Sequence, residues 1–263
     1  MLWIWLGREF QQQRGEMLVT RELMSLEEKG ELESSSEPQE VVTEETPAED
    51  TDNHQDKVEL LFIDGNDERI AQAAWTSSTI ELTEDRKSRV AGLVHTLLKS
   101  SHWSPFEHNL ISFRIIASNS VHIQMLKHRI GVSFNVESAR YRSYREDKTY
   151  IPEDLCEEWR GLLLSATESC WKLYHRLIED HEELGLEKSR AKEIAKFFLP
   201  MSTQVEMFVT FNLRSFFHFQ ALRNSRHAQR EIREVAQKMW DLVEEAGNFR
   251  HAMEAFLLYK KED

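Results

Sequence analysis

Between Gln124 and Tyr141 the chain concentrates hydrogen-bond donors and charge in one run. Lys127, His128 and Arg129 stand side by side, and Ser133, Asn135, Glu137, Ser138, Arg140 and Tyr141 follow at short intervals. Lys and Arg supply charge for phosphate, and Arg adds a planar fork that grips an oxyanion through two N–H groups. Ser, Asn and backbone N–H groups complete such a site without adding charge. So many donors with so little apolar content exclude a core strand; by composition alone a solvated basic turn is the better fit. A second cluster comprises Asn212, Arg214, His218, Arg223 and His227. On one continuous helix Arg214 and His218 would share a face at i,i+4, as would Arg223 and His227. Phe216, Phe217, Phe219 and Leu222 make the same segment pack, so its bases emerge beside a core. The plain alternative is a solvated cationic face. A third group, His102, Ser104, Glu107 and His108, surrounds Pro105 and Phe106. Its spacing is no recognised ligand set, so no metal is expected; capping in a helix-to-strand connection accounts for it as well.

Periodicity supplies the elements that must position these groups. Strands are expected over residues 58–63, 110–118 and 207–213. Helices are expected over 68–75, 86–100, 121–126, 155–184 and 187–198, the last stopped before Pro200. Residues 214–259 read as one or two helices with Gly247 as the break. The fold class is therefore α+β: a single helix-rich domain around a small, mostly antiparallel sheet.

Charge divides the 263 residues unevenly. Through residue 57 there are five basic and fifteen acidic residues, so most of the net charge of −13 belongs to that segment. Residues 25–57, rich in Glu, Ser, Thr and Pro and almost without aromatics, cannot bury enough apolar surface to fold. Residues 1–57 are read as a disordered acidic extension and 58–263 as the working domain. The opening apolar run, residues 1–6, is too short to span a bilayer, and no secretory signal is evident. A cytoplasmic protein without membrane attachment is expected. Cys156 and Cys170 have no neighbouring His or Cys at metal spacing and read as small buried or half-buried hydrophobes. The chain lacks the G-x-G-x-x-G of a Rossmann dinucleotide site.

The central run resembles the signature of the flavin-dependent thymidylate synthases: R-H-R, a short spacer, then S-x-N-E-x-S-x-R-Y. His128, Arg129, Ser133, Asn135, Ser138, Arg140 and Tyr141 stand in that order. Lys127 replaces the first Arg, one extra residue (Gly131 or Val132) lengthens the spacer, and Val136 stands where the family has Glu, with Glu137 one place later. His102 to His108 match the family's H-x-[ST]-P-F-E-H throughout. Asn212, Arg214, Ser215 and Arg223, then His227, Ala228, Gln229, Glu231 and Ile232, match its N-x-R-S, Arg and H-A-Q-x-E-I elements, with His218 where the family often has Asn. Ala195, Lys196, Leu199 and Pro200 resemble A-R-x-x-L-P, with Lys keeping the charge and losing the fork.

What the resemblance implies is methylation of dUMP to dTMP. 5,10-Methylenetetrahydrofolate would donate the carbon, and FAD reduced by NADPH would supply the hydride. Arg223 would be catalytic, stabilising charge on the uracil. Gln124, Lys127, Val136, Glu137, Ser138, Ala139, Arg140, Lys196 and Arg223 would hold dUMP. Ser77, Ser104, Glu107, Lys127, His128, Arg129, Asn212, Arg214 and His218 would hold FAD, and His102 would lie on the folate side. The family also implies a homotetramer with sites between subunits and no nucleic-acid partner. Two other readings compete. One is a non-enzymatic nucleotide- or RNA-binding protein that stacks bases on Tyr141, Tyr144 and Phe217. The other is a degenerate homologue kept for oligomerisation.

Overall fold

The computed structural model describes residues 55–76, 83–138, 144 and 148–260. Most of the acidic extension, and with it the expected disorder there, lies outside the described residues, as do Ser77, Ala139, Arg140 and Tyr141. Four strands, β1 (Lys57–Asp64), β2 (Leu110–Ser118), β3 (Val132–Val136) and β4 (Gln204–Asn212), form one antiparallel sheet in the order β1-β2-β4-β3. Period-two alternation puts Ile111, Phe113, Ile115 and Ala117 of β2 beside Val205, Met207, Val209 and Phe211 of β4 on one buried face. The opposite face is mixed: Ser112 and Thr210 share a hydrogen bond at 2.7 Å and Arg114 donates to Glu206 at 2.7 Å, while Leu110 and Phe208 are exposed on it.

Nine helices complete the described fold: α1 (Asp67–Thr76), α2 (Glu84–Lys87), α3 (Val90–Lys99), α4 (Asn119–Met125), α5 (Glu157–Glu179), α6 (Lys188–Ala195), α7 (Leu213–Arg223), α8 (Arg230–Ala246) and α9 (Arg250–Lys260). The apolar stripe of α8, Ile232, Val235, Ala236, Met239, Trp240 and Val243, keeps i,i+3,i+4 spacing and is buried in the main core. Gly247 ends that helix at φ 73°, the left-handed conformation that suits a residue without Cβ. A smaller cluster of Trp171, Tyr174 and Ala195 fastens α5 to α6. Among the described residues no helix is long and apolar enough to cross a membrane.

The structure departs from the sequence reading at four places. The helix expected over 86–100 is two, parted at Ser88 and Arg89. Residues 214–259 hold three helices, because α7 already stops at Arg223. There Ser225 folds the chain back, its carbonyl accepting from Ala228 N at 2.9 Å, and the expected i,i+4 pairing of Arg223 with His227 does not form. Part of the donor-rich run is a strand, the edge strand β3, which suits its composition because Ser133 and Asn135 face outward. Cys156, expected to be at least half-buried, is exposed, because it occupies the N-cap position of α5.

Where the chain enters β1, Asp56 is buried. Its Oδ1 accepts from Ser118 N at 3.2 Å, and Lys238 Nζ donates to its backbone carbonyl at 2.7 Å. Burial outweighs these contacts and pushes the carboxyl up to about 6. A folded-state pKa above the unfolded 3.8 means stability is present at low pH and lost as pH rises through about 6. Between pH 5 and 7 the loss should be about 1 kcal/mol. Asp56→Asn keeps an acceptor for Ser118 and should flatten that slope, as urea unfolding at the two pH values would record.

Candidate active site

The end of β4 becomes a helix without a loop, because Asn212 caps α7: its Oδ1 accepts from Ser215 N at 2.9 Å. Leu213, Ser215, Phe216, Phe217, Phe219 and Gln220 face inward. That leaves Arg214 and His218 exposed together, one turn apart, on the outer side of α7, while Arg223 at its end is half-buried. The run after α4 is sewn to this helix. Asn212 N donates to Gly131 O at 2.8 Å and Ser215 Oγ to Ile130 O at 2.7 Å. Gly131 has φ 66°, and a Cβ there would lie 2.3 Å from Ser215 Oγ and 2.4 Å from Asn212 Nδ2. Val132 pairs with Phe211 in the sheet, so Gly131 is the residue that turns the chain from the basic run into β3.

His128 and Arg223 meet at the centre of this arrangement. Arg223 Nε donates to His128 Nε2 at 2.9 Å, and Arg223 Nη2 donates to the Gln124 carbonyl at 3.3 Å. The His128 ring lies edge-on to Phe219, with centroids 5.0 Å apart, and to His218 at 6.0 Å. Burial, then the charge of Arg223, then His218, depress its pKa to about 4, so the imidazole is neutral through the physiological range. Arg214 forms an ion pair with Glu107 of the turn Ser104–His108, which ties two sequence clusters together. Beside them opens a cavity of about 750 Å³, flanked by Trp103, Phe217, Phe256 and Tyr259, with Lys99, Arg214 and His218 as polar groups. That volume and mix of aromatic walls with a few directed donors suit a large planar ligand carrying phosphate.

The other expected residues fall as follows. Gln124 lies on α4, and its Nε2 donates to Gln229 Oε1 at 2.6 Å. Lys127 and Arg129 flank His128 and are exposed, as are Ser104 and His102 near the turn. Ser138 is half-buried just past β3. Val136 packs against the main core and turns no polar group outward. The Glu137 carboxylate is held by Lys148 Nζ at 3.2 and 3.3 Å and accepts from Glu206 N at 3.2 Å. It is therefore engaged within the chain. Lys196, in the turn Lys196–Phe198 on α5 and α6, has no hydrogen bond or ion pair to the Arg223 group. Gln229 and the aromatic walls Trp103, Phe256 and Tyr259 were not singled out from sequence as site residues. Gln229 stands in the H-A-Q element, which was a usable signal, whereas the walls carry no pattern distinct from core.

Comparisons with known proteins bear on the family. The sequence profile of the Thy1 family, described as thymidylate synthase complementing protein, matches residues 59–246. A flavin-dependent thymidylate synthase of Streptomyces avermitilis is 32% identical over 206 residues, covering 69% of this chain and 83% of that protein. Another, from Thermosipho africanus, is 31% identical over 225 residues, 78% of this chain and 92% of that protein. The crystal structure of a UMP/dUMP methylase, PolB of Streptomyces cacaoi, bound with 5-Br dUMP, superposes with a TM-score of 0.67. It is 29% identical, over 78% of this chain and 95% of that one. With motifs in order and a profile match over most of its length, the chain belongs to the thymidylate synthase complementing protein family, that of the flavin-dependent thymidylate synthases.

Proposed function

We propose that this protein is a flavin-dependent thymidylate synthase that methylates dUMP at the uracil C5. The observation that carries the reading is Arg223, a guanidinium fixed by two protein acceptors at the end of α7, the helix whose Arg214 and His218 line a flavin-sized cavity, in a chain of this family. C5 of neutral uracil is barely nucleophilic. A fixed cation that favours negative charge on the ring raises its electron density in a site that needs no reorganisation. Arg223 can do this by donating N–H to the ring. Arg214, His218, Arg129 and Lys127, with the apolar walls, suit FAD, and Asn212, Ser104, Glu107 and Ser77 belong to the same proposed shell. When bound, FAD supplies the hydride. NADPH is the proposed reductant and 5,10-methylenetetrahydrofolate the carbon donor, with His102 on the folate side.

Gln124, Lys127, Ser138, Ala139 and Arg140 are proposed to hold the nucleotide. Val136 would contribute backbone groups, because its side chain packs on the core, and Glu137 only its carbonyl, because Lys148 holds its carboxylate and its N–H donates to Glu206 O at 2.9 Å. Lys196 fits a site completed by a second copy of the chain, which is why a homotetramer with shared sites is part of the proposal. The working domain is proposed to span 58–263 in a cytoplasmic protein, and a shortened protein should retain Gln55 and Asp56, which are hydrogen-bonded to the fold.

The test is direct. The purified protein should be yellow and should convert dUMP to dTMP when given methylenetetrahydrofolate and NADPH. A colourless protein that gains no flavin absorbance from added FAD would overturn the proposal. Thiolate chemistry is not needed, since Cys156 is exposed at the start of α5 and Cys170 is half-buried on that helix. The double Cys→Ser variant should keep at least half of the wild-type rate. A variant that folds and binds flavin yet forms no dTMP would point instead to attack by a cysteine on the ring.

A further inference from the structure

We propose that His128 is a positioning residue for Arg223: its Nε2 lone pair and the Gln124 carbonyl together aim the remaining N–H edge of the guanidinium at the nucleotide. This rests on the functional reading above and gives His128 a different part in it from flavin contact. A guanidinium only donates, so the 2.9 Å contact from Arg223 Nε requires that Nε2 carry no proton, leaving the ring proton on Nδ1. His128 is only 8% exposed, and its backbone N donates to Met125 O at 3.0 Å. Phe219 stands against the ring. An imidazole so confined cannot swing away, and it can hold a long side chain that would otherwise sample many rotamers. The depressed pKa of the buried ring keeps the lone pair available at neutral pH.

Of the five N–H groups of Arg223, one on Nε and one on Nη2 are committed to His128 and Gln124. Of the remaining three, the two that flank the Nη1–Nη2 edge form a parallel pair, and that is the edge proposed to meet a uracil. The two acceptors come from one short stretch, the C-terminal end of α4 and the turn after it, so they move as a unit.

His128→Leu removes the acceptor with an apolar group of similar size, and His128→Gln restores an acceptor near the same place. Because misplacing a reacting group by about 1 Å can cost roughly 10²-fold, His128→Leu should lower kcat for dTMP formation roughly 10- to 100-fold. The KM for dUMP, bound flavin and the rate of NADPH-driven flavin reduction should stay within about threefold, and His128→Gln should recover most of the loss. Lys lacks the Nε–H, so in an Arg223→Lys background His128→Leu should cost no more than about threefold, the non-additivity of an interacting pair. In protein labelled with ¹⁵N-arginine, the Arg223 Nε–H signal, identified by its loss in Arg223→Lys, should resist exchange with water and lose that protection in His128→Leu. Equal cost of His128→Leu in both backgrounds, flavin loss on that change, or an unprotected signal in the wild type would each overturn the assignment. A wild type that makes no dTMP would instead sink the functional reading, and the exchange measurement would still decide whether His128 holds Arg223.

Discussion

Arg223→Ala should lower kcat for dTMP formation roughly 10²- to 10³-fold, the cost typical of deleting one preorganised donor that faces developing charge. The KM for dUMP should change far less, because the interaction strengthens as charge builds on the ring and is weak in the ground state. Flavin content and flavin reduction by NADPH should persist, since Arg214, His218 and the aromatic walls are untouched and that half-reaction does not involve the uracil. The structure adds a side effect on stability. Removing the guanidinium leaves His128 Nε2 buried without its donor, a cost of about 1–3 kcal/mol. The variant should therefore melt a few degrees lower while remaining folded and yellow. Arg223→Lys restores charge but neither the Nε–H to His128 nor the two-pronged edge, so it should recover only part of the rate. Measuring flavin reduction, dUMP affinity and dTMP formation separately separates these effects. Near-normal dTMP formation by Arg223→Ala at saturating dUMP would remove it from the chemistry.

How far the sequence carried can be judged from particular residues. Ile111, Phe113 and Ile115 alternate on β2, and that local pattern gave the strand correctly. Val132, Phe134 and Val136 alternate just as cleanly, yet β3 was not placed, because an edge strand with an outward Ser133 and Asn135 resembles a polar binding loop. The stop at Arg223 was invisible because no Gly or Pro marks it; Ser225 turns the chain through its own backbone and side-chain hydrogen bonds. Motif order singled out Arg223, His128, Arg214 and Glu107 as candidate site residues. Their partnerships were out of reach: Arg223 meets His128 across 95 positions and Arg214 meets Glu107 across 107. Glu137 shows the limit most sharply, since motif order put it among the residues expected to hold dUMP, while its carboxylate is engaged by Lys148 and the backbone of Glu206.

Gly131→Ala should be among the most damaging single-atom changes in the chain. An L-residue held at φ 66° costs roughly 1–2 kcal/mol. The new methyl would also stand 2.3 Å from Ser215 Oγ and 2.4 Å from Asn212 Nδ2, so both side chains must move. Moving Asn212 weakens the cap of α7, worth about 1 kcal/mol. Moving Ser215 weakens its bond to Ile130 O, worth about 0.5–1.5 kcal/mol. Together these come to about 3–4 kcal/mol, which at about 2–4 °C per kcal/mol for a domain of this size is a fall of roughly 10 °C in Tm. Gly161→Ala is the control, since Gly161 lies inside α5 and a Cβ there meets nothing within 4 Å. The same chemical change should raise stability there by about 0.5–1 kcal/mol through helix propensity. Function should separate the two variants further. Gly131 joins the turn carrying His128 and Arg129 to the helix carrying Arg214, His218 and Arg223, and it sits where the spacer is one residue longer than the family pattern. Displacing it shifts both walls of the cavity relative to each other, so Gly131→Ala should lose bound flavin before it unfolds, while Gly161→Ala stays yellow. Equal melting temperatures and equal flavin content in the two variants would mean that neither the left-handed backbone nor the missing Cβ at Gly131 is needed to hold the turn against α7.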